Sequence, residues 1–152
     1  MRYVFRAVVS TLIPVLLSCP AAQAGKVEDA VDYRQGVMNV FSWNAGLMGA
    51  MVKGEVPFDS TVFQGYAADL ASSARLDILK GFPEDSVTDD SAAKDEIWLN
   101  WSDFESKLQG LRTESAKLTE VTASGDEAAI KAQFDATRRT CKACHDDYKQ
   151  KH

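Results

Sequence analysis

Cys141, Cys144 and His145 stand together near one end of the chain in the run Cys-Lys-Ala-Cys-His. Two thiols three residues apart, with an imidazole beside the second, can do several kinds of chemistry. They can add across the two vinyl groups of a porphyrin and offer the imidazole to its iron, which is how haem c is attached. They can exchange dithiol for disulfide, they can hold zinc, or they can form a structural disulfide. On a helix, positions i, i+3 and i+4 share one face, so all three side chains can meet one macrocycle. Dithiol exchange wants a preceding strand and a helix N-terminus to lower the thiol pKa; here the pair lies inside a helical pattern. Zinc wants a second pair of ligands, and the only other Cys and His residues are Cys19 and His152. The spacing therefore predicts one covalently attached haem c per chain, bound through Cys141 and Cys144, with His145 as a metal ligand.

The elements that must position these residues follow from the apolar periodicity. A first helix is predicted from about Val27 to Val52, with Val31, Arg34, Met38, Phe41, Ala45 and Met48 on a seam that steps by fours and threes. Gly54 stops it. Asp59 or Ser60 caps a second helix, whose apolar face includes Phe63, Tyr66, Ala67, Leu70 and Ala74. The stretch from Gly81 to Ser91, with Gly, Pro and the acids Glu84, Asp85, Asp89 and Asp90, reads as the longest loop. A third helix is predicted from about Ala93 to Thr122, on a seam of Ile97, Trp101, Phe104, Leu108, Leu111, Ser115 and Leu118. After a stop at Gly125, a fourth runs from Asp126 to about Lys149, on a seam of Ile130, Phe134, Thr137, Cys141, Cys144 and Tyr148. No segment alternates as a strand does. The fold class is all-α: an antiparallel four-helix bundle with the haem inside it.

Residues 1–24 have the layout of a cleaved export signal. Arg2 and Arg6 precede the apolar run Val8 to Leu17, and Ala22-Gln23-Ala24 is a cleavage site. About ten apolar residues are too few for roughly 30 Å of hydrocarbon, so no stable membrane insertion is expected. Lipidation at Cys19 is the alternative. Both place the protein outside the cytoplasm, where haem c is attached, and the expected location is the periplasm. The signal holds two of the 17 basic residues and none of the 22 acidic ones. Residues 25–152 then form one domain of 128 residues with 15 basic side chains against 22 acidic. That balance argues against nucleic acid.

The chain resembles the class II c-type cytochromes, the cytochrome c prime group. The haem motif lies late in the chain, Tyr33-Arg34-Gln35 stands in the first helix, Gly49 to Asp59 is similar to the first interhelical loop, and Glu96-Ile97-Trp98 to the start of the third helix. The similarity spans about residues 26–150. It implies that Arg34 and Gln35 lie against the haem propionates. An arginine on an apolar seam independently asks for an anionic partner, with Asp29 or Glu28 as the alternative to a propionate. Tyr148 and Lys149 match positions near the imidazole. Met38 matches the distal residue that faces the sixth coordination site. The resemblance also implies a homodimer through the first two helices, and Val40, Trp43 and Leu47 are apolar residues off the core seam.

Function follows from Met38. Methionine is the residue of the low-spin branch, so the leading expectation is His145 and Met38 ligation and electron transfer with an unspecified redox partner protein. A Met38 that only packs leaves a five-coordinate iron that binds nitric oxide or carbon monoxide. A peroxidase is the weakest expectation, because Val31, Arg34, Phe41 and Ala45 supply no distal acid–base group; the chain is not expected to be an enzyme.

Overall fold

A computed structural model describes residues 21–151. Residues 1–20 of the expected export signal, Cys19 among them, lie outside these residues. The first helix, α1, spans Ala21–Lys53 and so begins before Val27. Gly54 ends it by taking φ +74°. The Glu55 amide donates to Ala50 O at 2.9 Å and the Gly54 amide to Met51 O at 3.1 Å, the paired closure that a left-handed residue makes possible. The core stripe of α1 is Val31, Arg34, Val37, Phe41, Asn44, Met48 and Met51. Met38, Ala45 and Val52 are only half buried. The seam read from sequence shares Val31, Arg34, Phe41 and Met48 with this stripe and departs from it at Met38, Ala45 and Val52.

Helix α2 spans Ser60–Ala74 and is capped by Asp59, whose carboxylate accepts from the Thr61 and Val62 amides. It buries Phe63, Ala67, Leu70 and Ala74. A single 3₁₀ turn at Ile78–Gly81 follows. The region expected as one helix from Ala93 is divided. A short turn of helix, α3, covers Glu96–Leu99, and α4 covers Trp101–Thr122. Asn100 makes the break: its backbone sits at φ −128°, ψ 42°, and its side-chain amide donates to Glu96 O at 3.1 Å. Asn competes well for backbone groups and so favours such breaks. Ala93 is not helical either, because it forms an antiparallel bridge with Lys149. Helix α5 spans Glu127–Tyr148, capped by Asp126 through the Ala128 and Ala129 amides.

Helix α1 packs on α2, α2 on α4 and α4 on α5, giving a four-helix bundle. Two aromatic groups anchor it. Phe63 meets Phe134 edge-on at 5.6 Å. Phe104 meets Phe82 at 4.9 Å and Tyr148 at 5.3 Å. Such pairs add about 0.5–1.5 kcal/mol each beyond their buried area. The second group forms the floor of a cavity between α1, α4 and α5.

Candidate functional site

Cys141 and Cys144 reach the cavity because α5 keeps its fours-and-threes seam throughout. Ile130, Phe134 and Thr137 are buried in the core, and the next two seam positions are the cysteines. Cys144 is buried and Cys141 half buried, and both are free thiols. His145, one residue on, is displaced toward the mouth. The cavity measures about 540 Å³, and its wall includes Arg34, Gln35 and Met38 from α1 as well as Cys141, Cys144 and His145 from α5. Fold and sequence thus bring all six candidate residues to one space, although Met38 and Cys141 are more than a hundred residues apart in the chain.

Burial decides the thiol chemistry. It pushes Cys141 upward, and it pushes Cys144 up to about 11. Neither resembles the low-pKa thiol of a dithiol-exchange motif. Among the described residues no group of three His, Cys, Asp or Glu side chains could hold a metal ion by itself. His145 is shifted the other way: burial lowers its pKa first, the Lys149 charge lowers it further, and Asp146 opposes. The imidazole is therefore neutral near pH 7, the state with a lone pair to give.

The remaining wall suits a flat apolar ring with a charged edge. Phe41, Leu70, Ile97, Phe104, Leu108 and Leu111 line its interior, and Arg34 and Gln35 stand at one side. Its size is that of a cofactor site. The residues present fit a haem c.

Arg34 is 4% exposed, yet among the described residues it makes no ion pair, with Asp29, Glu28 or any other acid. It donates instead to Gly81 O at 2.9 Å, to Ser86 Oγ at 2.8 Å and Ser86 O at 2.6 Å, and to Ser91 Oγ. The Phe82 ring lies 4.9 Å away. Neutral oxygens satisfy this cation, and burial alone lowers its pKa. Gln35 donates to Asp90 O at 2.7 Å.

Three contributors were not read from the sequence. Phe82 and the segment Asp89–Ala93 form part of the wall; only the buried hydroxyls at Ser86 and Ser91, in a loop of acids, could have signalled it. Lys107 also lines the cavity and pairs with Asp147 at 3.0 Å and Asp103 at 3.5 Å. The Asp103–Lys107 spacing was a readable sign of that pair. The Tyr148 hydroxyl donates to Asp103 at 2.6 Å.

The family model described as Cytochrome C' matches residues 29–149. A cytochrome c' from Halomonas halodenitrificans is 34% identical over 128 residues, covering 80% of this chain and 96% of its own. Among solved structures, a cytochrome c prime from Shewanella frigidimarina has a TM-score of 0.79 and 37% identity, covering 82% of this chain and 97% of its own. A nitric oxide complex of a variant cytochrome c prime from Alcaligenes xylosoxidans has a TM-score of 0.75 and 31% identity, covering 84% and 98%.

Proposed function

This chain belongs to the cytochrome c' family of class II c-type cytochromes, which carry one covalently attached haem c per chain, and we propose that it holds that haem through Cys141 and Cys144 and binds a small diatomic gas on the Met38 side. His145 offers its neutral imidazole as the proximal ligand. Bound there, haem c supplies an iron that changes oxidation state and accepts a further ligand. Arg34 and Gln35 stand where the propionate edge would lie.

The observation that carries the reading is the makeup of the α1 wall. Beyond Arg34 and Gln35 it consists of Met38, Asn39, Phe41, Ser42 and Ala45, and none of these five is an acid or a base that could move a proton. Such a wall admits nitric oxide or carbon monoxide and gives a peroxide no general acid. Binding rather than turnover is the function it supports. The nitric oxide complex formed by a similar protein agrees with this. Met38 favours the second reading, a six-coordinate electron carrier, because its thioether lies in the wall of the same cavity as His145. Its half-buried position packed against the core also suits a side chain that only covers the pocket.

Export to the periplasm and a homodimer complete the proposal. No described helix is long and apolar enough to cross a membrane. On the outer face of α1, Trp43 is 68% and Val40 45% exposed, an apolar strip for a second copy to cover.

The visible spectrum of the purified ferric protein tests the function. A high-spin pattern, with ready formation of a carbon monoxide adduct on reduction, is the expected result. A low-spin pattern with a sulfur-to-iron charge-transfer band would establish the electron carrier instead.

A further inference from the structure

We infer that the segment from Gly81 to Ala93 is a strap along the cavity mouth, and that Arg34 is the positioning residue whose grip on it sets how fast a gas reaches the Met38 face. The inference rests on the gas-binding reading above and deepens it.

Between the 3₁₀ turn that ends at Gly81 and the bridge at Ala93 the strap has no regular structure, yet it is fastened at both ends. On the α1 side, both terminal nitrogens of Arg34 are spent on it, on Gly81 O, on the Ser86 carbonyl and hydroxyl, and on the Ser91 hydroxyl. Gln35 adds Asp90 O at 2.7 Å. Gly81 lies so close to α1 that a Cβ there would come within 2.8 Å of the Arg34 Cβ and 3.1 Å of Ala30 O. On the α5 side, the Gln150 amide donates to Ala92 O at 2.8 Å and the Lys94 amide to Tyr148 O at 3.1 Å. Lys94 Nζ donates to the Asp147 carbonyl at 2.9 Å, covering a free carbonyl of the last turn of α5.

The same stretch supplies cavity wall through Phe82 and Asp89–Ala93. It therefore joins the helix that carries Met38 to the helix that carries His145. Ser91 is the junction: its hydroxyl accepts from Arg34 and from the Ala93 amide at 3.1 Å, one residue before the α5 fastening begins. Arg34 and Met38 are one turn apart on α1. Releasing the Arg34 side frees the strap where it borders the Met38 face and leaves the α5 side fastened.

Two variants loosen the strap by different means. Ser91→Ala removes a hydroxyl and leaves a buried Arg34 donor unpaired. Gly81→Ala changes no charge and pushes the strap off the α1 backbone. Each is made as the full haem-bearing protein. Three quantities are measured: the haem absorbance per chain, amide exchange along the strap and the helices, and the carbon monoxide association rate of the ferrous form. With haem content unchanged, strap amides should exchange about tenfold faster while helix amides keep their protection. Carbon monoxide should associate about fivefold faster or more, as expected when a covering segment limits access. Faster strap exchange with carbon monoxide rates within about twofold of wild type would overturn the inference. So would strap exchange that neither substitution changes. A ferrous wild-type protein that takes up no carbon monoxide would instead overturn the gas reading, and the gating with it.

Discussion

Tyr148 donates its hydroxyl to the Asp103 carboxylate across 2.6 Å, and the bond ties the last turn of α5 to the first turn of α4 beside the cavity floor. Burial and then this bond push the Tyr148 hydroxyl up to about 12, while the same bond and Lys107 hold Asp103 below its usual range. The signs are opposite. Tyr148 has the higher pKa when folded, so its contribution is complete below pH 10 and is lost between 10 and about 12. Asp103 has the lower pKa when folded, so its contribution is present above the ordinary carboxylate range and is lost as the pH falls through it. Urea unfolding across this range should show both flanks. Tyr148→Phe should abolish most of the alkaline loss and shrink the acid one; an unchanged alkaline flank would exclude this pair as its origin.

Covalent attachment is checked by mass. The protein recovered from the periplasm should weigh one haem more than the chain that begins at Gly25. Cys141→Ser with Cys144→Ser should remove that increment and leave helical circular dichroism from a weakened bundle. A mass matching free thiols in the wild type would refute the attachment.

Met38→Ala should leave a high-spin iron high-spin and raise the rate of gas association, because the side chain that covers the distal face is gone. Deleting a buried methionine costs 2–5 kcal/mol in a sealed core; Met38 is half buried, so a loss of about 2 kcal/mol is expected. Conversion from low-spin to high-spin on this substitution would instead identify Met38 as the ligand.

The dimer is checked by sedimentation. Wild-type protein should run as a dimer at micromolar concentration, and Trp43→Glu should give a monomer with its bundle and haem intact. A wild type that stays monomeric at high concentration would leave the Val40 and Trp43 strip without that role.

Much of this was legible because helices announce themselves by period. The caps Asp59 and Asp126, the stops Gly54 and Gly125, and the α5 seam through Cys144 all follow from local rules. Cys141, Cys144, Arg34 and Met38 were read on helical seams and border the cavity, whereas Gln35 was indicated by the family resemblance and His145 by its place in the motif. What stayed hidden depends on contacts distant in sequence. Arg34 asked for a partner, but only the folded loop shows that Ser86 and Ser91 serve in place of an acid. Asn100 sits in a continuous apolar pattern, which hides the break that its side chain makes by bonding Glu96 O. On α1 the threes-and-fours stripe through Val37 and Asn44 won over the stripe through Met38 and Ala45. Both are periodic, and the cavity decides between them.

The fastening of Gln150 to Ala92 also imposes an order on assembly. Ala92 is synthesised 58 residues before Gln150 follows it. Helices α1, α2 and α4 can pack while the α5 side of the chamber is still missing. Both thiols then arrive on α5, and only after them come the residues that stitch the strap shut. A rigid prosthetic group can thus be lowered into a half-built chamber and its lid sewn down afterwards, with no opening of a finished bundle required.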